Sequence, residues 1–197
     1  MRCGFNLLVP VMALAACVAA LAQMPIYNVG RTPSAEEIRA WDISIGPAGK
    51  ELPPGSGTAK EGTKVYAQKC AACHGPTGAE TEAEPRPGLY PNPLVGGKGT
   101  LNSIHPVTTI GSFWPFATTI WDYIHRAMPQ GEEGSLSANE VYALTAFLLY
   151  RNDIIQESDV IYAKSLPKIQ MPNRNGFVPP RPDLKWYHTQ CRLGTCP

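Results

Sequence analysis

Ala117, Ile120, Trp121 and Ile124 fall at i, i+3, i+4 and i+7, a spacing that predicts an amphipathic helix over about Trp114 to Ala127. Val141, Leu144, Thr145 and Leu148 repeat it, and Ser137-Ala-Asn-Glu140 ahead of them has the form of a capping box, so a second helix is expected to open there. Thr58 is placed to cap a third, running to about Ala72 until Gly75-Pro76-Thr77-Gly78 stops it. Another capping box, Ser34-Ala-Glu-Glu37, opens a short helix to about Arg39, and Trp41-Asp42-Ile43-Ser44-Ile45 alternates like a short strand. From Ala79 to about Gly111 neither period holds. A loop of that length in a compact domain normally needs something to wrap. The expected fold class is mainly α with little sheet, and the chain has no internal repeat.

Punctuation and composition divide the 197 residues further. The first 22 read as a signal peptide: Arg2 starts it, Leu7 to Leu21 is almost wholly apolar, and Ala20-Leu21-Ala22 has the small-x-small form of a cleavage site. The run is too short to be a convincing membrane span. A periplasmic, exported protein is expected; Leu14-Ala15-Ala16-Cys17 carries the rival reading, a lipoprotein box with a lipid anchor at Cys17. Residues 23–57 read as an N-terminal extension closed by the linker Leu52-Pro53-Pro54-Gly55-Ser56-Gly57, residues 58–151 as the central domain, and residues 152–197 as a Pro-rich C-terminal extension. The extension carries Ile169, Phe177, Val178, Trp186 and Tyr187, expected to drape across its own domain or a partner.

Removing the leader takes away Arg2 and leaves 17 − 1 = 16 basic against 16 acidic residues. That balance offers no basic stripe for nucleic acid or an anionic membrane. It also leaves four of six cysteines: Cys70, Cys73, Cys191 and Cys196. The last pair is close enough in sequence to close a small terminal ring, which an oxidising compartment would preserve.

Cys70 and Cys73 belong to Cys70-Ala71-Ala72-Cys73-His74. On a helix, residues three and four apart share a face, so both thiols and the imidazole point one way. Two thiols so placed can form thioethers to the two vinyl groups of a haem, and the adjacent histidine can ligate its iron; this is the attachment signature of haem c. A thioredoxin-like pair would need a preceding strand and a βαβ setting, and a zinc site would need a second ligand pair. Helix precedes the motif here, and the other cysteines lie far off in the tail.

The iron then has a sixth position to fill. Met128 ends the expected helix, followed at once by Pro129 and by a loop from Gln130 to Gly134, which makes it the leading distal ligand. Met171 is second and Met24 third. His105 or His125 would give bis-His iron instead, although both read more simply as exposed polar residues.

These residues resemble class I cytochrome c. The family's Gly-x-x-x-aromatic pair before the motif is matched by Gly62 and Tyr66, and its Leu-x-x-aromatic-Leu by Leu144, Phe147 and Leu148. The resemblance implies that Gly62 lets two helices cross closely. It also implies that the carbonyl of Pro93, or of Pro91, accepts the His74 Nδ1 proton. More narrowly, "WDISIGPAGKELPPGSGTAKEG", "FWPFATTIWDYIHRAMP" and "SLPKIQMPNRNGFV" are similar to the cytochrome (D) subunit of Sox sulfane dehydrogenases and its relatives beside sulfite dehydrogenases. Some of those carry two haems, whereas this chain has one motif.

The resemblance implies a monohaem electron carrier, not itself an enzyme, that takes single electrons from a molybdenum-cofactor dehydrogenase subunit and passes them to a downstream cytochrome or oxidase. Trp114 is then placed to hydrogen-bond a haem propionate or to pack in the core. A free periplasmic shuttle and a peroxidase or gas-binding protein with a displaceable sixth ligand are the alternatives.

Overall fold

In a computed structural model of the chain, residues 29–79 and 93–178 are described. They fall into two compact units, one ending at Asp42 and one beginning at Ile43. In the first, helix α1 (Ala35–Trp41) starts where its capping box predicts: the Glu37 N–H donates to Ser34 Oγ, and the Ser34 N–H donates to the Glu37 carboxylate. Arg31 pairs with that carboxylate and holds it down at about 2. The helix buries none of its own residues, and Trp41 is 88% exposed. The strand expected over Trp41–Ile45 does not form. Trp41 closes the helix, and the Ile45 N–H is spent on Asp122 Oδ1 at 2.8 Å instead of on a ladder.

The second unit runs β1 (Ser56–Gly57), α2 (Ala59–Lys69), α3 (Ala71–His74), α4 (Ala117–Ala127), α5 (Ala138–Arg151) and β2 (Ile161–Tyr162), then a 3₁₀ turn at Leu166–Lys168. The strands pair antiparallel, Ser56 opposite Tyr162 and Gly57 opposite Ile161. Helix dominates and sheet is minimal, as the periodicity predicts. Thr58 and Ser137 complete their capping boxes with Glu61 and Glu140. Helix α4 begins at Ala117 rather than Trp114: Pro115 disfavours the α conformation in the residue before it, and Phe116 is extended at φ −135° and ψ 133°.

The centre of the unit is the crossing of α2 with α5. A Cβ at Gly62 would overlap the Ala143 carbonyl, so only glycine allows this approach. Tyr66 and Phe147 fill the space beside it, ring centroids 4.7 Å apart. Helix α5 is buried continuously from Val141 to Leu149, and α4 lies against it through Trp121 and Tyr142, with centroids 5.5 Å apart. Fully buried Val141, Leu144 and Leu149 each contribute about 1.5–3 kcal/mol through removal of apolar surface from water.

This packing extends past residues 58–151 at both ends. Leu52 before it and Ile161, Leu166 and Met171 after it join the same cluster, and the Tyr142 hydroxyl donates to the Pro53 carbonyl at 2.8 Å. The Pro-rich segment therefore drapes over its own domain as far as Met171. Beyond, Phe177 meets Phe113 edge-on at 5.1 Å. Cys17, Met24, Pro91, Trp186, Tyr187, Cys191 and Cys196 lie outside the described residues.

Candidate functional site

Helix α2 does not run through to Ala72. The chain leaves it at Cys70, where φ −120° and ψ −37° turn the backbone, and the Cys70 carbonyl then accepts the N–H groups of Cys73 (3.1 Å) and His74 (2.9 Å). A separate single turn, α3, thus carries the motif. The geometry expected of a continuous helix survives the break, because the same i, i+3 and i+4 relations hold within the turn.

Both cysteines are free thiols and half-buried. Burial, with the Cys73 sulfur nearby, pushes the Cys70 thiol up to about 11, so it stays protonated at neutral pH. Burial pushes the His74 imidazole down, which keeps the ring neutral and its lone pair available. Its Nδ1 is buried without a hydrogen-bond partner. The expected bond to the Pro93 carbonyl is therefore not made; Pro91, the other candidate, lies outside the described residues. The segment after Pro93 is registered elsewhere: the Leu94 and Val95 N–H groups both donate to the Gly78 carbonyl, at 2.7 and 3.0 Å.

Met128 is the C-cap of α4, its N–H donating to the Ile124 carbonyl at 3.1 Å while its own backbone is extended at φ −130° and ψ 146°. Its side chain is half-buried against the core, as are Val65, Cys70, Leu94 and Trp114. The loop beyond it reaches the motif, since Lys69 Nζ lies 3.4 Å from Glu132 Oε2. Met171 is a core residue, 3% exposed. His105 is exposed as expected, but His125 is half-buried and stacks on Trp121 with centroids 4.9 Å apart. Trp114 is half-buried and packs edge-on against Tyr123, 5.7 Å between centroids.

Two side chains that the sequence shows only as pattern matches or not at all hold this region together. Tyr66, legible as an aromatic, uses its hydroxyl to donate to the carbonyls of Gly75 (3.0 Å) and His74 (3.3 Å). Asn152, with no signal beyond its place after α5, accepts the Gly96 N–H at 3.0 Å through Oδ1 and donates from Nδ2 to the carbonyls of Leu148 (2.8 Å) and Leu94 (3.2 Å).

Two thiols and a neutral imidazole on one turn are the donors that haem c would use for two vinyl carbons and one axial position, and Met128 packs half-buried against the same core as Cys70. The residues fit that group.

Residues 57–148 match the family model described as cytochrome c oxidase, cbb3-type, subunit III. A chain in the crystal structure of the sulfane dehydrogenase SoxCD from Paracoccus pantotrophus superposes with a TM-score of 0.67 at 37% identity, over 87% of this chain and 82% of that one. The chain belongs to the class I c-type cytochromes, electron-transfer proteins whose family group is haem c. Within that class it resembles the cytochrome subunit of Sox sulfane dehydrogenases. A thiosulfate dehydrogenase from Stutzerimonas stutzeri (strain A1501) is 29% identical over 121 residues, 55% of this chain; the chain spans about a third of that relative, 35%.

Proposed function

We propose that this chain is a monohaem, periplasmic electron-transfer subunit that accepts single electrons from a molybdenum-cofactor dehydrogenase acting on a sulfur compound. Cys70 and Cys73 would hold the haem by thioether bonds, with His74 and Met128 as axial ligands. Bound there, it supplies a one-electron Fe(III)/Fe(II) couple, which His/Met ligation sets at a raised potential. Burial keeps His74 unprotonated for its task, and the short turn α3 aims both thiols and the ring the same way. Filling both axial positions excludes substrate from the iron, which disfavours peroxidase or gas-binding chemistry.

The observation that carries the reading is the agreement of two independent features. The motif's free thiols and neutral imidazole sit on one turn, and the match to a chain of the sulfane dehydrogenase reaches far outside the cytochrome core. The family model takes residues 57–148, whereas the superposition covers 87% of the chain and so extends well past that core.

The test is chemical, then biochemical. Haem in the purified protein should resist extraction by acidified acetone, and Met128→Ala should abolish the thioether-to-iron charge-transfer band. Carbon monoxide should leave the reduced wild-type spectrum unchanged. A molybdenum protein should co-purify and reduce the cytochrome when given its sulfur substrate. Extractable haem would sink the attachment, an unchanged Met128→Ala spectrum the distal ligand, and purification alone would favour a free shuttle.

A further inference from the structure

The turn that carries the motif ends badly by its own backbone. Helix α3 has four residues, and the chain leaves it through Gly75 at φ 75° and ψ 165°, a region open essentially to glycine alone and not the αL conformation of the usual C-terminal cap. Among the described residues, the carbonyls of His74 and Gly75 have no backbone donor, and Gly75 is buried. One side chain supplies what is missing. The Tyr66 hydroxyl donates to Gly75 at 3.0 Å and lies 3.3 Å from the His74 carbonyl. Its ring is fixed at the other end, 1% exposed and packed on Phe147 of α5 at 4.7 Å. Room for the hydroxyl is left by Gly78, where an added Cβ would come within 3.1 Å of it.

We infer that Tyr66 is a positioning residue for the electron-transfer site: its hydroxyl clamps the carbonyls of His74 and Gly75 and so fixes the backbone from which the imidazole approaches the iron. A phenylalanine would pack identically and clamp nothing, so the function lies in a single oxygen. The path runs from the α2–α5 crossing through Phe147 and the Tyr66 ring to the hydroxyl, and from there to the ligand's own peptide unit. This rests on His74 being an axial ligand, as proposed above.

The experiment compares Tyr66→Phe with Tyr142→Phe in the purified full-length protein. Tyr142 is also fully buried and also donates its hydroxyl to a main-chain carbonyl, that of Pro53 at 2.8 Å, but far along the sequence from the motif. It is thus a matched loss of one buried hydroxyl. Tyr66→Phe should change the equilibrium constant for reduction by a mediator of fixed potential by threefold or more, and speed amide hydrogen exchange at least tenfold at Cys73 and His74, whose N–H groups are held by the Cys70 carbonyl. Tyr142→Phe should do neither, even where its thermal stability falls as far. Equal effects of the two variants, or no effect of Tyr66→Phe on either readout, would overturn the inference. Hydrogen exchange reports on the clamp whether or not haem is attached. If the wild-type protein carries no covalent haem, the proposed function fails while the exchange result still decides the clamp.

Discussion

Asn152 shows how much one side chain can carry at the edge of this site. It is 7% exposed, and its amide uses both of its ends: the oxygen receives the Gly96 N–H, and the nitrogen serves the Leu94 and Leu148 carbonyls. Gly111 packs so closely on it that a Cβ there would overlap the amide. The end of α5 is thereby tied to the segment that follows the motif. Asn152→Ala takes this partner from the part-buried Gly96 N–H and Leu94 carbonyl, while the Leu148 carbonyl keeps the Asn152 N–H. It should lower stability by about 1–3 kcal/mol in denaturant titration, with α5 itself intact by circular dichroism. Nothing in the sequence marks this residue, because an asparagine after a helix is ordinary and its three partners lie 4, 56 and 58 positions away. Cys70, Cys73 and His74 are legible for the opposite reason: all of their geometry is local, within five consecutive residues.

At the level of elements, caps were easier to read than ends. All three capping boxes form, because each needs only the N-cap residue and the residue three positions on to satisfy two backbone donors. The ends depend on what lies across the fold: α2 stops at Lys69 so that Cys70 can turn into α3, and Ile45 is taken by Asp122 rather than by a strand partner. The boxes make a pH prediction. Hydrogen bonds from Thr58, first through its side chain, lower the Glu61 carboxyl, and those from Ser137, likewise first through its side chain, lower Glu140. Both folded-state values lie below the unfolded one, so the folded protein binds fewer protons. The stability each contributes is complete above about pH 4.5 and is lost as the pH falls through the depressed values. The double variant Glu61→Gln, Glu140→Gln keeps a capping side chain but cannot titrate. Its stability measured by urea unfolding should vary less with pH below that point than the wild type's.

For the molecule as a whole, charge is the feature most easily tested. Seventeen basic against sixteen acidic residues give a formal net charge of +1, too little for a strong long-range field to steer a partner. Between about 0.01 and 0.15 M ionic strength the Debye length shrinks from about 30 to about 8 Å. The stopped-flow rate of reduction by the proposed dehydrogenase partner should fall by less than about tenfold over that range, against the steep loss of a steered pair. The mainly helical fold was legible because α4 and α5 each show a clean period and α2 is marked by its Thr58 cap and the Gly75-Pro76-Thr77-Gly78 stop. The course of residues 93–111 was not, since it is set by the Gly78 carbonyl and by Asn152 rather than by any repeat. The meeting of Gly62 with Ala143 has one more consequence, for how the protein is made. The contact joins residues 143 − 62 = 81 apart, and Phe147, which steadies Tyr66, is synthesised 147 − 74 = 73 residues after His74. Until residues 138–151 have been made, the motif therefore lacks the Phe147 side of its brace; the vice closes only when that helix arrives.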